Sequence, residues 1–299
     1  MSLMKYDQRN DKFVAHQLQR EARRAKDKAE AEEKARKEEE ERIEKAGGLR
    51  RPKQKLVSSL SDDWAEKVKG TLRASPAEVL AVAPQNVSLK RHDFSKVVPA
   101  TEWLNDEIVN GALNHVDHFV NARAGITNVK SQTRKCLVLG SFFYEHIRKT
   151  NGLNTERMLR RNGVNERNFL SIDTILVPIC ENSHWTLIVV RPTRRTVAHM
   201  DSLNPRGSAA KTNLFLTWIR ALLKNDFKET EWKVTSHEAP HQTNGWDCGV
   251  HTITNGMCLA LGLNPPDAYS AEEMPLQRLR LAAMLLNGGF SGDFGLEGL

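Results

Sequence analysis

A cysteine stands at the end of a turn-forming stretch, QTNGWDCGVHT, which covers residues 242–252. The apolar residues that follow recur at helical spacing, so a helix is predicted to start at Cys248 with Asp247 as its N-cap. A thiol in the first turn of a helix lies beside unpaired backbone N–H groups, which favour the thiolate form. Gly245 and Gly249 place no side chain on either side and permit close approach of a substrate to the sulfur. This stretch therefore predicts a nucleophilic cysteine.

A histidine and an aspartate at the ends of a predicted hairpin are the groups that could activate this thiol. If the strands HWTLIVV and TVAHMD pair with Val190 opposite Thr196 or nearby, His184 faces Asp201 or Ser202. Opposed side chains have Cβ atoms only ~5 Å apart, which is within reach of a hydrogen bond. The aspartate would fix the imidazole tautomer and favour its cationic form.

A second histidine, His199, lies two residues before Asp201 and, by strand alternation, on the same face. It is one pair farther from the open end of the hairpin, so His184 is preferred as the base. The remaining cysteines are interpreted as small apolar residues. Cys136 has no obvious base nearby in sequence, Cys180 ends an apolar strand, and Cys258 lies near the apolar stripe of its helix.

Gln242 precedes Cys248 in the same stretch. A loop that curls back could direct the glutamine amide, beside the Cys248 N–H, at an oxyanion that develops during acyl transfer. In chain order the predicted site consists of His184, Asp201, Gln242 and Cys248.

Strands and helices alternate across the region that must position these residues. TEWLNDEIVNGALNHVDHFV, residues 101–120, predicts a helix with Thr101 as its N-cap. IDTILVPIC, residues 172–180, predicts a buried strand, and EWKVTSH predicts another. We therefore expect an α+β domain with helices packed on a small sheet.

Residues 1–46 differ from the rest, because they hold thirteen Lys or Arg and twelve Asp or Glu residues. Pairs four residues apart, such as Glu32 with Arg36 and Glu38 with Arg42, support a helix. Within residues 21–48 apolar residues larger than alanine are almost absent, so a solvated helix or frayed linker is favoured over a coiled coil.

Three regions follow from these patterns. Residues 1–55 are interpreted as a charged helical extension that ends in the basic patch RRPKQK. Residues 56–84, divided by prolines, are interpreted as a connector. Residues 85–299 are predicted to form the catalytic domain.

Charge, cysteine spacing and the length of the apolar runs argue against several classes of function. The formal net charge is +7, yet no zinc-ligand spacing or arginine-rich block accompanies it, so nucleic-acid binding is not favoured. No pair among the four cysteines has C-x-x-C spacing, which argues against a metal site or redox dithiol. The start has no signal-peptide core, and no apolar run approaches the ~20 residues of a membrane span. We expect an intracellular protein with reduced thiols, no membrane insertion and no cofactor.

Three blocks together resemble the ubiquitin-like protein-specific cysteine proteases that act on SUMO, the sentrin/SUMO protease family. These are WLNDEI at 103–108, SHWTLIVV to HMDSLN at 183–204, and QTNGWDCG at 242–249. The resemblance covers residues from about 85 to 290. It implies a papain-like α+β fold with a small, mostly antiparallel sheet flanked by helices, preceded here by the long charged helix.

The same resemblance assigns roles to the predicted site. It implies that Cys248 is the nucleophile, His184 the general base and acid, Asp201 its orienter, and Gln242 the oxyanion donor.

The resemblance also implies a narrow tunnel for a Gly-Gly tail. Trp185 would cover the tail and Trp103 would close the tunnel from the other side, leaving a slot that excludes larger side chains. Asp106 matches the position that contacts the body of the modifier.

The sequence as a whole predicts a monomeric SUMO-specific cysteine protease. Its expected partners are the SUMO precursor and SUMO-conjugated proteins, which it would cleave after the terminal Gly-Gly. The resemblance implies a nuclear location, at the nuclear envelope in some relatives. Three alternatives remain open: a protease for another ubiquitin-like modifier, an acyltransferase, or a module that binds SUMO without cutting it.

Overall fold

The structure of the protein is a computed structural model that describes the backbone of residues 3–299 and the side chains of residues 13–299. The chain divides into two compact units, one that ends at Arg50 and one that runs from Arg51 to Leu299. The first unit is built on a single helix, α1 (Leu3–Lys45).

Helix α1 has 43 residues, and pairs of opposite charge along its surface help to explain why it forms. Arg36 lies 2.7 Å from Glu33 and Arg42 lies 2.6 Å from Glu39, three residues earlier instead of the expected four. Each exposed pair of this kind contributes about 0.3–0.5 kcal/mol to helix stability. Further pairs at a spacing of four are Lys26–Glu30, Lys28–Glu32 and Lys34–Glu38.

The second unit contains a two-stranded and a five-stranded sheet. In the two-stranded sheet β1 (Val79–Ala83) pairs antiparallel with β2 (Val87–Lys90). The strands of the larger sheet are β3 (Cys136–Val138), β4 (Thr174–Glu181), β5 (His184–Arg191), β6 (Thr196–Met200) and β7 (Lys233–Val234). They lie in this order, antiparallel at the centre, while β3 and β7 pair in parallel at the two edges.

The second unit also contains helices, several of which pack on the five-stranded sheet. They are α2 (Asp62–Gly70), α3 (Arg91–Val97), α4 (Asp106–Arg123), α5 (Phe142–Thr150), α6 (Glu156–Arg161), α7 (Glu166–Phe169), α8 (Ala209–Leu223), α9 (Cys248–Ala260), α10 (Pro265–Ala268) and α11 (Met274–Leu286). The small sheet and flanking helices confirm the predicted α+β class.

Side chains that alternate along β4 separate two cores. Ile175 and Val177 belong to an apolar cluster with α5 and α8, which includes the fully buried Trp218. Leu176 faces α9 on the opposite side, where a Cβ on Gly256 would lie 3.3 Å from it and 2.5 Å from a side-chain carbon of Leu113 in α4. Glycine at position 256 therefore permits the close packing that fixes α9 against the sheet and α4.

Residues 56–84, a connector by the sequence expectation, lie inside the second unit and contain α2 and β1. The boundary in the structure thus precedes the expected one at residue 85.

Helix α4 starts at Asp106 and not at Thr101, which was wrongly predicted as the N-cap. The cap is Asn105, whose side chain accepts a 3.3 Å hydrogen bond from the Ile108 N–H. Residues 101–105 stay outside the helix and are free to contact other segments.

The expected strand EWKVTSH is reduced to the two residues of β7. Within residues 3–299 no helix combines the length and apolar character that a bilayer span requires.

Candidate active site

His184 and Asp201 meet at the open end of the β5–β6 hairpin. His184 is the first residue of β5, and Asp201 directly follows β6. Val190 pairs with Val197, one residue away from the register expected with Thr196. The side chains still bond, because His184 Nε2 lies 2.7 Å from Asp201 Oδ1. His184 and Asp201, which the sequence predicted to interact, are therefore hydrogen-bonded in the structure.

A turn after β6 holds the Asp201 carboxylate in place. Its Oδ1 accepts hydrogen bonds from the backbone N–H groups of Leu203 at 2.9 Å and Asn204 at 3.3 Å. Burial alone would raise the pKa of Asp201, but the hydrogen bonds from His184 and Leu203 outweigh it and lower the pKa. The carboxylate is therefore ionised over the physiological range.

The environment of His184 favours the imidazolium form. The hydrogen bond to Asp201, followed by one to Cys248, raises the pKa of His184 to about 9 against the opposing effect of burial. Since Nε2 faces Asp201, Nδ1 remains for the thiol. The imidazole thus lies between a carboxylate and a cysteine.

Cys248 is the first residue of α9, as predicted, and its side chain is buried. Asp247 occupies the N-cap position, but its carboxylate does not cap the helix. It accepts instead from Arg278 Nε and from Asn244 Nδ2, each at 2.7 Å. The predicted capping role of Asp247 was therefore wrong, and the residue anchors the loop before Cys248.

Arg278, which sequence reasoning missed, is fully buried in α11 and joins two segments of the site. It donates to the carbonyl oxygen of Trp246 at 2.8 Å, beside its pair with Asp247. It also donates to the carbonyl oxygens of Lys96 and Pro99 at 3.3 and 3.2 Å. The partners lie 31 or more residues away in sequence, so no local pattern could have identified the contact.

Gln242 is buried in the loop that leads to Cys248. Its Nε2 donates to the carbonyl oxygen of Asn244 at 2.5 Å, and its Oε1 accepts from Ser202 Oγ at 2.9 Å. The amide is therefore held between its own loop and the turn after β6.

Two tryptophans cross-link the segment before α4 to the site. Trp185, next to His184, is buried and donates from Nε1 to the carbonyl oxygen of Leu104 at 2.9 Å. Trp103 is 54 % exposed and donates from Nε1 to the carbonyl oxygen of Gly245 at 2.8 Å. These bonds explain why residues 103 and 104 lie outside α4.

The two glycines around Cys248 differ. A Cβ on Gly249 would lie 2.9 Å from a Leu104 side-chain carbon, so close packing requires glycine there. Gly245 has no neighbour within 4 Å of such a Cβ.

Asp106, the residue predicted to contact the body of the modifier, is the first residue of α4. It is partly exposed and lies two residues beyond Leu104.

The rival histidine, His199, is buried, and burial lowers its pKa to about 4. Neither ring nitrogen has a hydrogen-bond partner among the described residues. Cys136 and Cys258 are buried, as expected, and burial raises the pKa of both thiols. Cys180 is exposed, contrary to the interpretation as an apolar residue, and lies near the C-terminal end of β4, next to the turn into β5.

In the part of the chain that the structure describes, no group of three or more His, Cys, Asp and Glu side chains could hold a metal ion.

The fold thus brings a cysteine, a histidine and an aspartate together at one site. The chain belongs to the Ulp1 protease family: residues 102–287 match the model of that family's C-terminal catalytic domain. This match confirms the predicted relationship to the SUMO proteases.

Solved structures and curated proteins agree with this assignment. A Ulp1-like SUMO protease catalytic domain from Chaetomium thermophilum is 47 % identical with a TM-score of 0.81, covering 84 % of this chain and 99 % of that one. The yeast C-terminal Ulp1 domain in complex with Smt3, the yeast orthologue of SUMO, shares the fold at 21 % identity, with a TM-score of 0.66 and coverage of 79 % and 99 %.

Human sentrin-specific protease 2 is 25 % identical over 236 residues, which span 76 % of this chain but 37 % of the human protein. Ubiquitin-like-specific protease 1 of Saccharomyces cerevisiae is 25 % identical over 205 residues, which span 67 % of this chain and 30 % of the yeast protein. The chain thus corresponds to about a third of the length of these curated relatives.

Proposed function

We propose that this protein is a cysteine protease that cleaves after the C-terminal Gly-Gly of SUMO, both in the precursor and in isopeptide conjugates. The observation that carries the proposal is the position of His184, hydrogen-bonded to Asp201 on one side and to Cys248 on the other. Similarity to a SUMO protease catalytic domain at 47 % identity supports the choice of substrate.

The chemistry follows from this arrangement. The Cys248 thiolate attacks the glycine carbonyl carbon, and the imidazolium of His184 then protonates the departing amine. The product is a thioester, which a water molecule hydrolyses as His184 takes up the water proton. Asp201 keeps the imidazole oriented and stabilises its charge throughout the cycle.

Gln242 and the Cys248 N–H are the proposed donors to the oxyanion that forms in each step. The Gln242 amide is already bonded on two sides, so little reorganisation is needed when charge develops on the carbonyl oxygen.

Trp103 and Trp185 are the proposed walls of the passage to Cys248. Each indole is anchored by its N–H to a backbone carbonyl, which restricts its movement. Two fixed aromatic planes admit a glycine chain and exclude larger side chains. Asp106, at the start of α4, is the proposed contact for the body of the modifier.

The second candidate is a protease for another ubiquitin-like modifier, because an identical catalytic group would serve it. Two hydrolysis assays distinguish the two candidate functions. One uses a SUMO precursor and the other a SUMO isopeptide conjugate, and each is run in parallel with the corresponding ubiquitin substrate. We expect cleavage of both SUMO substrates, and none of either by Cys248→Ser. Cleavage of ubiquitin substrates alone would contradict the choice of modifier, and no cleavage of any would contradict the protease assignment.

We assign residues 1–55 to a charged extension that takes no part in catalysis, and the rest of the second unit, residues 56–299, to the catalytic domain and the segment that leads into it. Removal of residues 1–45 is therefore expected to leave hydrolysis of a soluble SUMO substrate unchanged. A large loss of rate at unchanged thermal stability would place α1 in the substrate site. Localisation in the nucleus is a further proposal, tested by imaging the tagged chain in cells.

A further inference from the structure

Ser202 connects the two halves of the candidate site, although neither the sequence patterns nor the proposed chemistry uses it. It directly follows Asp201 and is 5 % exposed. Its hydroxyl Oγ donates to Gln242 Oε1 at 2.9 Å, and its carbonyl oxygen accepts from the Gln242 backbone N–H, also at 2.9 Å. One residue therefore binds both the main chain and the side chain of Gln242.

These contacts determine which way the Gln242 amide points. Its Nε2 donates to the carbonyl oxygen of Asn244, which can only accept, so Oε1 must lie on the Ser202 side. The Ser202 hydroxyl then acts as the donor. A primary amide has two N–H groups, and with one committed to Asn244 the other remains for a ligand.

The turn after β6 explains why Ser202 points at Gln242. The Asp201 carboxylate accepts the backbone N–H groups of Leu203 and Asn204, which closes a tight turn around Ser202. The same turn thus fixes the carboxylate that orients His184 and the hydroxyl that orients the amide.

We propose that Ser202 is a positioning residue that holds the Gln242 amide with an N–H directed at the developing oxyanion. The proposal rests on the protease function proposed above. Without the hydroxyl, Oε1 loses its buried donor, and the amide can rotate away from the geometry the transition state needs. The effect should fall on kcat, because the oxyanion exists only in the transition state.

The kinetic test is a double-mutant cycle on a fluorogenic amide at the C-terminus of SUMO. We expect Ser202→Ala to lower kcat about tenfold with KM unchanged, roughly the effect of one neutral hydrogen bond or slightly more. We expect Gln242→Ala to lower kcat by about 100-fold, as for an oxyanion donor. Adding Ser202→Ala to Gln242→Ala should cost little more, since Ser202 acts through the amide.

Two further variants separate positioning from general stability. Ser202→Thr keeps the hydroxyl and should recover most of kcat. Thr71→Val removes another buried hydroxyl hydrogen bond, 2.7 Å to the carbonyl oxygen of Val68 outside the site, and should leave kcat unchanged. Additive losses in the double mutant, or a Ser202→Ala effect confined to KM, would overturn the proposal.

A measurement without substrate keeps the proposal distinct from the protease assignment. The side-chain amide of Gln242 can be followed by ¹⁵N NMR and assigned by its disappearance in Gln242→Ala. In the wild type we expect slow solvent exchange and side-chain proton shifts displaced from those of a solvated glutamine amide, and in Ser202→Ala we expect both to move towards the solvated values. An unchanged signal would contradict orientation by Ser202, whereas failure to hydrolyse SUMO with a perturbed signal would contradict only the proposed function.

Discussion

The indole N–H of Trp103 donates a 2.8 Å hydrogen bond to the carbonyl oxygen of Gly245, across 142 residues of sequence. This bond ties an exposed tryptophan to the loop that leads into Cys248. A wall of the proposed passage, Trp103, is therefore bonded directly to the loop that carries the proposed nucleophile, Cys248.

Replacing Trp103 by phenylalanine keeps an aromatic ring but removes this hydrogen bond. We expect kcat/KM for a SUMO substrate to fall about fivefold, the effect of one hydrogen bond of about 1 kcal/mol. Trp103→Ala should reduce it further, because the ring is lost as well. Trp64→Phe is the matched control, since the Trp64 indole bonds to Asp293 at 2.9 Å elsewhere. Equal kinetics for Trp103→Phe and wild type would show that the indole contact is not needed.

The two histidines of the hairpin should differ sharply in their effect on rate. His184→Ala is expected to lower kcat by about 100-fold or more, the lower range for a general acid–base group. His199→Leu should change kcat little, because His199 is buried, with no hydrogen-bond partner among the described residues. Steady-state kinetics of the two variants, with thermal unfolding to verify folding, provide the test. A larger loss in His199→Leu than in His184→Ala would reverse the assignment.

The raised pKa of His184 predicts an alkaline limit to activity. The hydrogen bond to Asp201 is the largest contribution to its pKa of about 9, so the imidazolium is lost only as pH rises through that value. We expect kcat/KM to decline with an apparent pKa near 9 in wild type. Asp201→Asn should move this limb to lower pH, towards about 6.5, the ordinary value for histidine. If the alkaline decline of kcat/KM stays near pH 9 in Asp201→Asn, a group other than His184 controls it.

The free energy of unfolding should depend on pH through the same two residues, His184 and Asp201. The contribution of protonated His184 is fully present below about pH 6.5, its value in the unfolded chain, and disappears as pH rises through about 9. The lowered pKa of Asp201 has the opposite sign, so its contribution is lost as pH falls below about 4.

The ion pair between Arg278 and Asp247 should dominate the stability of the loop before Cys248. Both side chains are buried, 2.7 Å apart. Arg278→Ala leaves a buried carboxylate without its cation, so we expect the free energy of unfolding to fall by about 3–5 kcal/mol. Denaturant unfolding measures this change. The control is Arg220→Ala, which breaks an exposed pair with Glu229 and should cost less than about 1 kcal/mol. Similar losses in the two variants would contradict the account.

Sequence patterns predicted those parts of the molecule that depend on neighbours in the chain. Helix α9 could be placed from apolar spacing that begins after Asp247, and the β5–β6 hairpin from alternation on either side of its turn. The hairpin prediction survived a register error of one residue, because the long His184 side chain still reaches Asp201.

Features that depend on distant contacts could not be predicted. The N-cap of α4 was misplaced by four residues, at Thr101 instead of Asn105, because Trp103 and Leu104 bind Gly245 and Trp185, which no local pattern reveals. Arg278 resembles any other helical arginine in the sequence, and only the fold shows that it is buried against Asp247. For the same reason Ser202 was considered only as a position opposite His184.

The most direct test identifies which cysteine reacts with a SUMO probe. In this probe a thiol-reactive electrophile follows the C-terminal Gly-Gly of SUMO. The described chain has four free cysteines, and Cys180 is the exposed one. Simple accessibility would therefore direct the reaction to Cys180, whereas the account requires the buried Cys248. We predict one covalent adduct, mapped by mass spectrometry to Cys248, retained in Cys180→Ser and absent in Cys248→Ser. An adduct on Cys180, or none at all, would contradict the assignment of Cys248 as the nucleophile of a SUMO protease.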